Sequence, residues 1–255
     1  MYETLLYEQR GAVPLITLNR PRAYNAINEV MAQELDDAFR QIESDDSVRS
    51  VVITGGSKVF ASGGDIGFMA KASTEEIRAF IETCHKAYAR PASIGKPFIA
   101  AVNGVALGGG CELALVCDIR ICSASARFGL PEINLGIFPG AGGTQRLAAA
   151  VGDGWAKQMI FTGENIDAVK AEQIGLVQRV AAENAIDEAL LLAEKLAGKS
   201  PEALAQAKSC INYNARKVLP EALQNEREVW TGLFGTPNQQ EGMHAFLEKR
   251  PPVFQ

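Results

Sequence analysis

Phe98-Ile99-Ala100-Ala101-Val102-Asn103-Gly104-Val105-Ala106-Leu107-Gly108-Gly109-Gly110-Cys111-Glu112-Leu113-Ala114-Leu115-Val116-Cys117-Asp118-Ile119-Arg120-Ile121-Cys122 is the stretch whose reading decides the fold class. Phe98 to Val102 is a short, unbroken apolar run, the pattern of a strand buried on both faces. Gly108, Gly109 and Gly110 break it. Cys111 to Val116 then reads as helix, and Asp118 to Cys122 returns to strand. Strands alternating with helices imply a layered α/β fold with a largely parallel sheet.

The same alternation extends towards the N-terminus. Val13 to Leu18 reads as a strand, with Pro21 and Asn25 as turn residues after it. From Asn28 to Ile42 the apolar positions Met31, Leu35, Phe39 and Ile42 recur at helical spacing. Val51 to Thr54, closed by Gly55 and Gly56, is another buried strand. Ser73 and Glu76 form a capping-box pattern ahead of Ile77, Phe80 and Ile81, which opens a further helix. Beyond Gly143 helical patterns dominate, as in Ile186 to Leu196. Ser200, Pro201 and Glu202 supply an N-cap, a first-turn proline and an early acid for the next helix. The expected organisation is an α/β core over residues 1–199 and a helical C-terminal part over 200–255.

Composition narrows the class. Of the 255 residues, 47% are hydrophobic and 22% charged, which excludes a disordered chain, a collagen or a coiled-coil rod. A net charge of −5 argues against nucleic-acid binding, which needs clustered Lys and Arg. The five Cys form no C-x-x-C pair and only two His occur, so no zinc site is expected and the cysteines read as reduced thiols. Met1 to Arg10 lacks the apolar segment of a secretory signal, and no apolar run approaches the roughly 18 residues of a membrane span. A cytoplasmic location is expected, with a mature organellar form as the other reading.

Neither a P-loop, a G-x-G-x-x-G dinucleotide turn nor a G-x-S-x-G elbow is present. Three Gly-rich stretches stand out instead: Phe60 to Ile66, Asn103 to Leu113, and Phe128 to Thr144. Glycine allows tight strand-to-helix turns, and it also lets backbone N–H groups approach an anion or a developing oxyanion. Glu112 and Glu132 lie in apolar surroundings. A carboxylate there either reaches solvent, finds a partner, or has a raised pKa. Two such carboxyls beside one substrate would supply an acid and a base.

These stretches, with Leu18-Asn19-Arg20-Pro21 and the closing Glu248-Lys249-Arg250-Pro251, resemble the enoyl-CoA hydratase/isomerase (crotonase) family, and within it most a short-chain enoyl-CoA hydratase. The resemblance implies a crotonase-like spiral of ββα units with a helical C-terminal part, residues 200–255, used in trimerisation. Trimers, or hexamers made of two trimers, are the implied assemblies. The implied substrate is an acyl thioester of coenzyme A, with no further cofactor and no metal.

By motif position the resemblance assigns the oxyanion-stabilising N–H groups to Gly64 and Gly109. It assigns the catalytic carboxylates to Glu112, as the base for water, and Glu132, as the acid for the α-carbon. A water-positioning N–H falls to Gly140. Ala61, Asp65, Ile66 and Gly67 align with the loop along the coenzyme A moiety, and Arg22 with a position that meets its phosphates. Phe68, Met69 and Phe138 are candidates for the acyl pocket. Leu130 departs from the pattern of some hydratases, which carry a polar residue just before the Pro-Glu pair. Having both glutamates favours hydration of a 2-trans-enoyl-CoA to a 3-hydroxyacyl-CoA. The alternatives are an isomerase moving a 3-enoyl to a 2-enoyl thioester, a specialised acyl-CoA dehydratase, and a non-enzymatic RNA-binding relative.

Overall fold

A computed structural model describes residues 2–216 and 219–253. The chain opens with β1 (Leu5–Arg10), β2 (Val13–Leu18), α1 (Glu29–Ser44) and β3 (Val51–Thr54). It continues through α2 (Ile66–Met69), α3 (Thr74–Ser93), β4 (Phe98–Val102), β5 (Val105–Leu107) and α4 (Gly109–Val116). Then come β6 (Ile119–Ser123), β7 (Arg127–Gly129), α5 (Gly143–Thr162), β8 (Ile166–Asp167), α6 (Ala168–Gln173), β9 (Arg179–Ala181) and α7 (Ala185–Ala197). Helices α8 (Pro201–Arg216), α9 (Leu219–Gly232) and α10 (Pro237–Leu247) close the chain.

The main sheet has the order β1-β2-β3-β4-β6-β9. Only the β1–β2 hairpin in it is antiparallel, so the expected parallel character holds. Its central strands β3 and β4 are buried at every residue, which is why they read as unbroken apolar runs. A second, smaller sheet runs β5-β7-β8 and is continued by single parallel bridges, Ala61 to Ala106 and Ile27 to Gly64. Each turn of chain therefore places one segment in the large sheet, one in the small sheet, and then a helix: β3, Ala61 and α3; β4, β5 and α4; β6, β7 and α5. This is the spiral of ββα units that the resemblance implied.

One apolar core fills the space between the sheet and α1, α3, α4 and α5, with Phe39, Tyr88, Phe98 and Phe128 among its largest fully buried side chains. A second lies beneath α7, where Ala185, Ala189 and Ala193 meet Val52, Ile99 and Ile121. The small alanine side chains let the helix sit close on the sheet. Ser73 caps α3 as its sequence predicts: its Oγ accepts from the Glu76 N–H at 3.3 Å, and Glu76 Oε2 accepts from the Ser73 N–H at 2.7 Å. Ser73→Ala should therefore lower the unfolding free energy by about 1 kcal/mol, readable as a shift of the urea midpoint at unchanged slope.

The C-terminal helices fold back on this same chain. Helix α9 packs against α3 and α5, and α10 packs against a one-turn 3-10 segment, Pro131–Leu135. Among the described residues, no helix is long and apolar enough to cross a membrane.

Candidate active site

The break between β5 and α4 builds the first wall of the site. Gly108 has φ +48°, a conformation L side chains rarely adopt, and a Cβ there would lie 3.0 Å from Glu132 Oε1. Helix α4 starts directly after it. The Gly109 N–H is the first of the helix and has no acceptor within it. The Gly64 N–H lies beside it: a Cβ built on Gly109 would be 3.6 Å from the Gly64 nitrogen. The bridge between Ile27 and Gly64 uses the Ile27 N–H on the Gly63 carbonyl and the Asp65 N–H on the Ile27 carbonyl, which leaves the Gly64 N–H outside it. Both glycines face a cavity of about 410 Å³. The Tyr88 hydroxyl braces this wall from α3, donating to the Gly109 carbonyl at 3.0 Å.

Glu112 and Glu132 line the same cavity. Glu112 is 3% exposed, and its Oε1 accepts from the Ala141 and Gly143 N–H groups, each at 2.7 Å. Glu132 is 9% exposed, on the Pro131–Leu135 turn, and its Oε2 is buried without a hydrogen-bond partner among the described residues. Burial pushes Glu112 well above the ordinary carboxylate range, and the negative charges of Glu132 and Glu226 push it further, while the two N–H donors pull it back. Burial also lifts Glu132, to about 8, with Glu226 adding to the rise. The donors make Glu112 the better seat for the pair's negative charge, and the unpartnered oxygen makes Glu132 the better seat for its proton. Leu130 is fully buried and offers no side-chain donor to Glu132.

Gly140 also lines the cavity, and a Cβ there would lie 2.6 Å from the Trp230 ring. Of the residues expected along the coenzyme A moiety, Ile66 lines the cavity. Asp65 caps α2 by accepting from the Phe68 N–H and pairs with Arg20 at 3.1 Å. Gly67 and Arg22 are exposed nearer the surface, and Ala61 is fully buried in its bridge to Ala106, outside the cavity lining. Met69 lines the cavity, whereas Phe68 packs edge-on to Phe80 and Phe138 packs on the core. Among the described residues, no group of three or more His, Cys, Asp or Glu could hold a metal ion.

Sequence reasoning missed a further buried carboxylate close to Glu112, Glu226 on α9, 3% exposed. It accepts from the Gly142 N–H at 2.7 Å, the Thr144 N–H at 3.2 Å and the Thr144 hydroxyl. His85 on α3 meets the same segment, its Nε2 lying 2.6 Å from the Gly140 carbonyl. A carbonyl only accepts, so Nε2 carries the hydrogen. Burial lowers the His85 pKa to about 4, so the ring is neutral at physiological pH despite lying 3.8 Å from Glu226.

A family model described as enoyl-CoA hydratase/isomerase matches residues 8–255. The chain belongs to the enoyl-CoA hydratase/isomerase family. It is 46% identical over 254 residues to a probable enoyl-CoA hydratase of Rhizobium meliloti, covering 99% of this chain and 98% of that one. It is 45% identical over 248 residues to a short-chain-enoyl-CoA hydratase of Clostridium acetobutylicum, covering 96% and 95%. The crystal structure of an enoyl-CoA hydratase from Mycobacterium avium subsp. paratuberculosis superposes with a TM-score of 0.91 at 29% identity, covering all of both chains. The family membership and the crotonase-like fold expected from the sequence are thus borne out.

Proposed function

We propose that this chain hydrates a 2-trans-enoyl-CoA to a 3-hydroxyacyl-CoA, reversibly, within acyl-CoA metabolism. The observation that carries this reading is that two buried carboxyls, Glu112 and Glu132, line one cavity together with Gly64 and Gly109, whose N–H groups donate to no backbone carbonyl among the described residues. The thioester carbonyl oxygen accepts from those two N–H groups. They stabilise the negative charge that gathers there as the β-carbon is attacked, and the positive end of α4 adds to them. Glu112, held by Ala141 and Gly143, takes a proton from water, and the resulting hydroxide oxygen bonds to the β-carbon. The electron pair of the double bond moves to the enolate. Glu132 gives its proton to the α-carbon, and the carbonyl re-forms. In this reading the two carboxyls of the one cavity serve the same face of the double bond, and addition is syn. In the same reading the Gly140 N–H orients the water.

Purified protein mixed with crotonyl-CoA should bleach the conjugated-enoyl absorbance and yield 3-hydroxybutyryl-CoA. Absorbance that stays constant, with conversion of a 3-enoyl-CoA to its 2-enoyl isomer, would move the assignment to an isomerase.

The coenzyme A moiety is the substrate's own handle, met by the Asp65–Gly67 loop and by Arg22, and the chemistry described needs no metal. A trimer, or a hexamer of two trimers, would cover exposed apolar side chains such as Phe161, Val169 and Phe246. The described cysteines are free thiols, four of them buried, which suits a reducing compartment such as the cytoplasm.

A further inference from the structure

Four consecutive N–H groups at the start of α5 divide between two carboxylates. Ala141 and Gly143 donate to Glu112; Gly142 and Thr144 donate to Glu226. Successive N–H groups in this turn thus go to different carboxylates, so the segment held by one carboxylate carries the donors that the other uses. Gly142, with φ +101°, supplies the left-handed conformation the alternation needs. The flanking contacts hold the same segment: His85 donates to the Gly140 carbonyl, Arg146 Nη1 donates to the Ala141 carbonyl at 3.0 Å, and Trp230 lies on Gly140.

We propose that Glu226 is a positioning residue for Glu112. By accepting the Gly142 and Thr144 N–H groups it turns the alternate Ala141 and Gly143 N–H groups onto the catalytic carboxylate. The site is then complete only when α9 is docked, although α9 contributes no reacting atom. This inference rests on the hydratase reading above. Its second consequence is electrostatic. Glu226 is a negative charge near Glu112, set against the partly buried cation Arg146 on α5. From α3 it faces His85, neutral above pH 5, with Arg227 of α9 near that ring. The other groups near Glu112 are Glu132 and the buried Cys84, Cys111 and Tyr88, whose pKa values burial raises so that they stay neutral.

Glu226→Gln keeps the shape and an acceptor oxygen but removes the charge. We expect kcat for crotonyl-CoA to fall about tenfold with KM nearly unchanged. Both limbs of the pH profile should move about half a unit to lower pH, because a lost negative charge makes the neighbouring carboxyls more acidic. Glu226→Asp keeps the charge but shortens the reach, so kcat should fall while the limbs stay in place. The limb shift reports the lost charge, and the fall in kcat at unmoved limbs in Glu226→Asp reports the positioning; a merely structural role would leave kcat of the folded Glu226→Asp variant at the wild-type value. Wild-type kcat and pH limbs in Glu226→Gln overturn the inference while the hydratase reading stands. No hydration by the wild type overturns both. Should Glu226→Gln fail to fold by circular dichroism, Glu226→Asp decides, and a wild-type kcat in it overturns the inference.

Discussion

Glu112→Gln and Glu132→Gln should each lower kcat for enoyl-CoA hydration by on the order of 10³–10⁴-fold, with KM changed little. Neither carboxyl is needed to hold the coenzyme A moiety, so the loss falls on the chemical step. In Glu112→Gln the amide oxygen still accepts from Ala141 and Gly143, so the geometry survives and only the base is lost. In Glu132→Gln the proton donor is lost. The double variant should be scarcely slower than the worse single one, because each group is useless without the other. Activity requires one proton on the pair. It should rise with pH as the first proton leaves and fall as the second leaves, and burial moves both limbs above the ordinary carboxylate range. Stability carries the same signature with a definite sign. The folded pKa of Glu132, about 8, lies above its unfolded value, so folding is favoured below pH 4.5 and loses stability as pH rises towards 8. Glu132→Gln removes that dependence, so its thermal midpoint should fall less than the wild type's between pH 5 and 8. A variant with wild-type kcat, or midpoints that run in parallel, would refute the assignment of that carboxyl.

The sequence exposed this pair because a lone acid inside an apolar helix, or after a proline in an apolar stretch, has few structural excuses. Glu226 gave no such signal. It sits in Gln224-Asn225-Glu226-Arg227-Glu228, which reads as a solvated helix face, and it is buried only because α9 crosses the start of α5. That contact spans more than eighty residues of chain, and no local pattern encodes it. The strands divide the same way. β3 and β4 are buried on both faces and announce themselves, whereas β5, β7, β8 and β9 have two or three residues each, too few to show a period of two. Helix α4 begins two residues before its apolar run, at Gly109, because its first turn is glycine kept for the site rather than for the helix. The ligand-loop positions carried by resemblance sit in different surroundings for a physical reason. Ile66 lines the cavity, while Ala61 is buried outside it, with its N–H and carbonyl already used by Val105 and Leu107.

Gly110→Ala should leave the protein folded yet lower kcat by about a hundredfold. A Cβ at 110 would meet the Ala61 carbonyl group and lie 2.6 Å from the Ala61 Cβ. That neighbour is backbone and a methyl, so no flexible side chain can swing away. Ala61 itself is pinned, its N–H on the Val105 carbonyl at 3.1 Å and its carbonyl on the Leu107 N–H at 3.0 Å. Helix α4 must therefore shift outward, carrying the Gly109 N–H away from the Gly64 N–H. Overpacking costs roughly 1–3 kcal/mol, and replacing glycine in a helix returns about 1 kcal/mol, so the net loss of stability is about 0–2 kcal/mol. The oxyanion site tolerates less. A displacement near 1 Å costs about 10²-fold, and loss of one donor about 10²–10³-fold. Stability and activity thus separate: the thermal midpoint should drop by a few degrees while turnover falls a hundredfold. The KM should change much less than kcat, since the donors act chiefly on charge that develops during reaction. Wild-type turnover in Gly110→Ala would mean that the spacing of Gly64 and Gly109 does not set the rate.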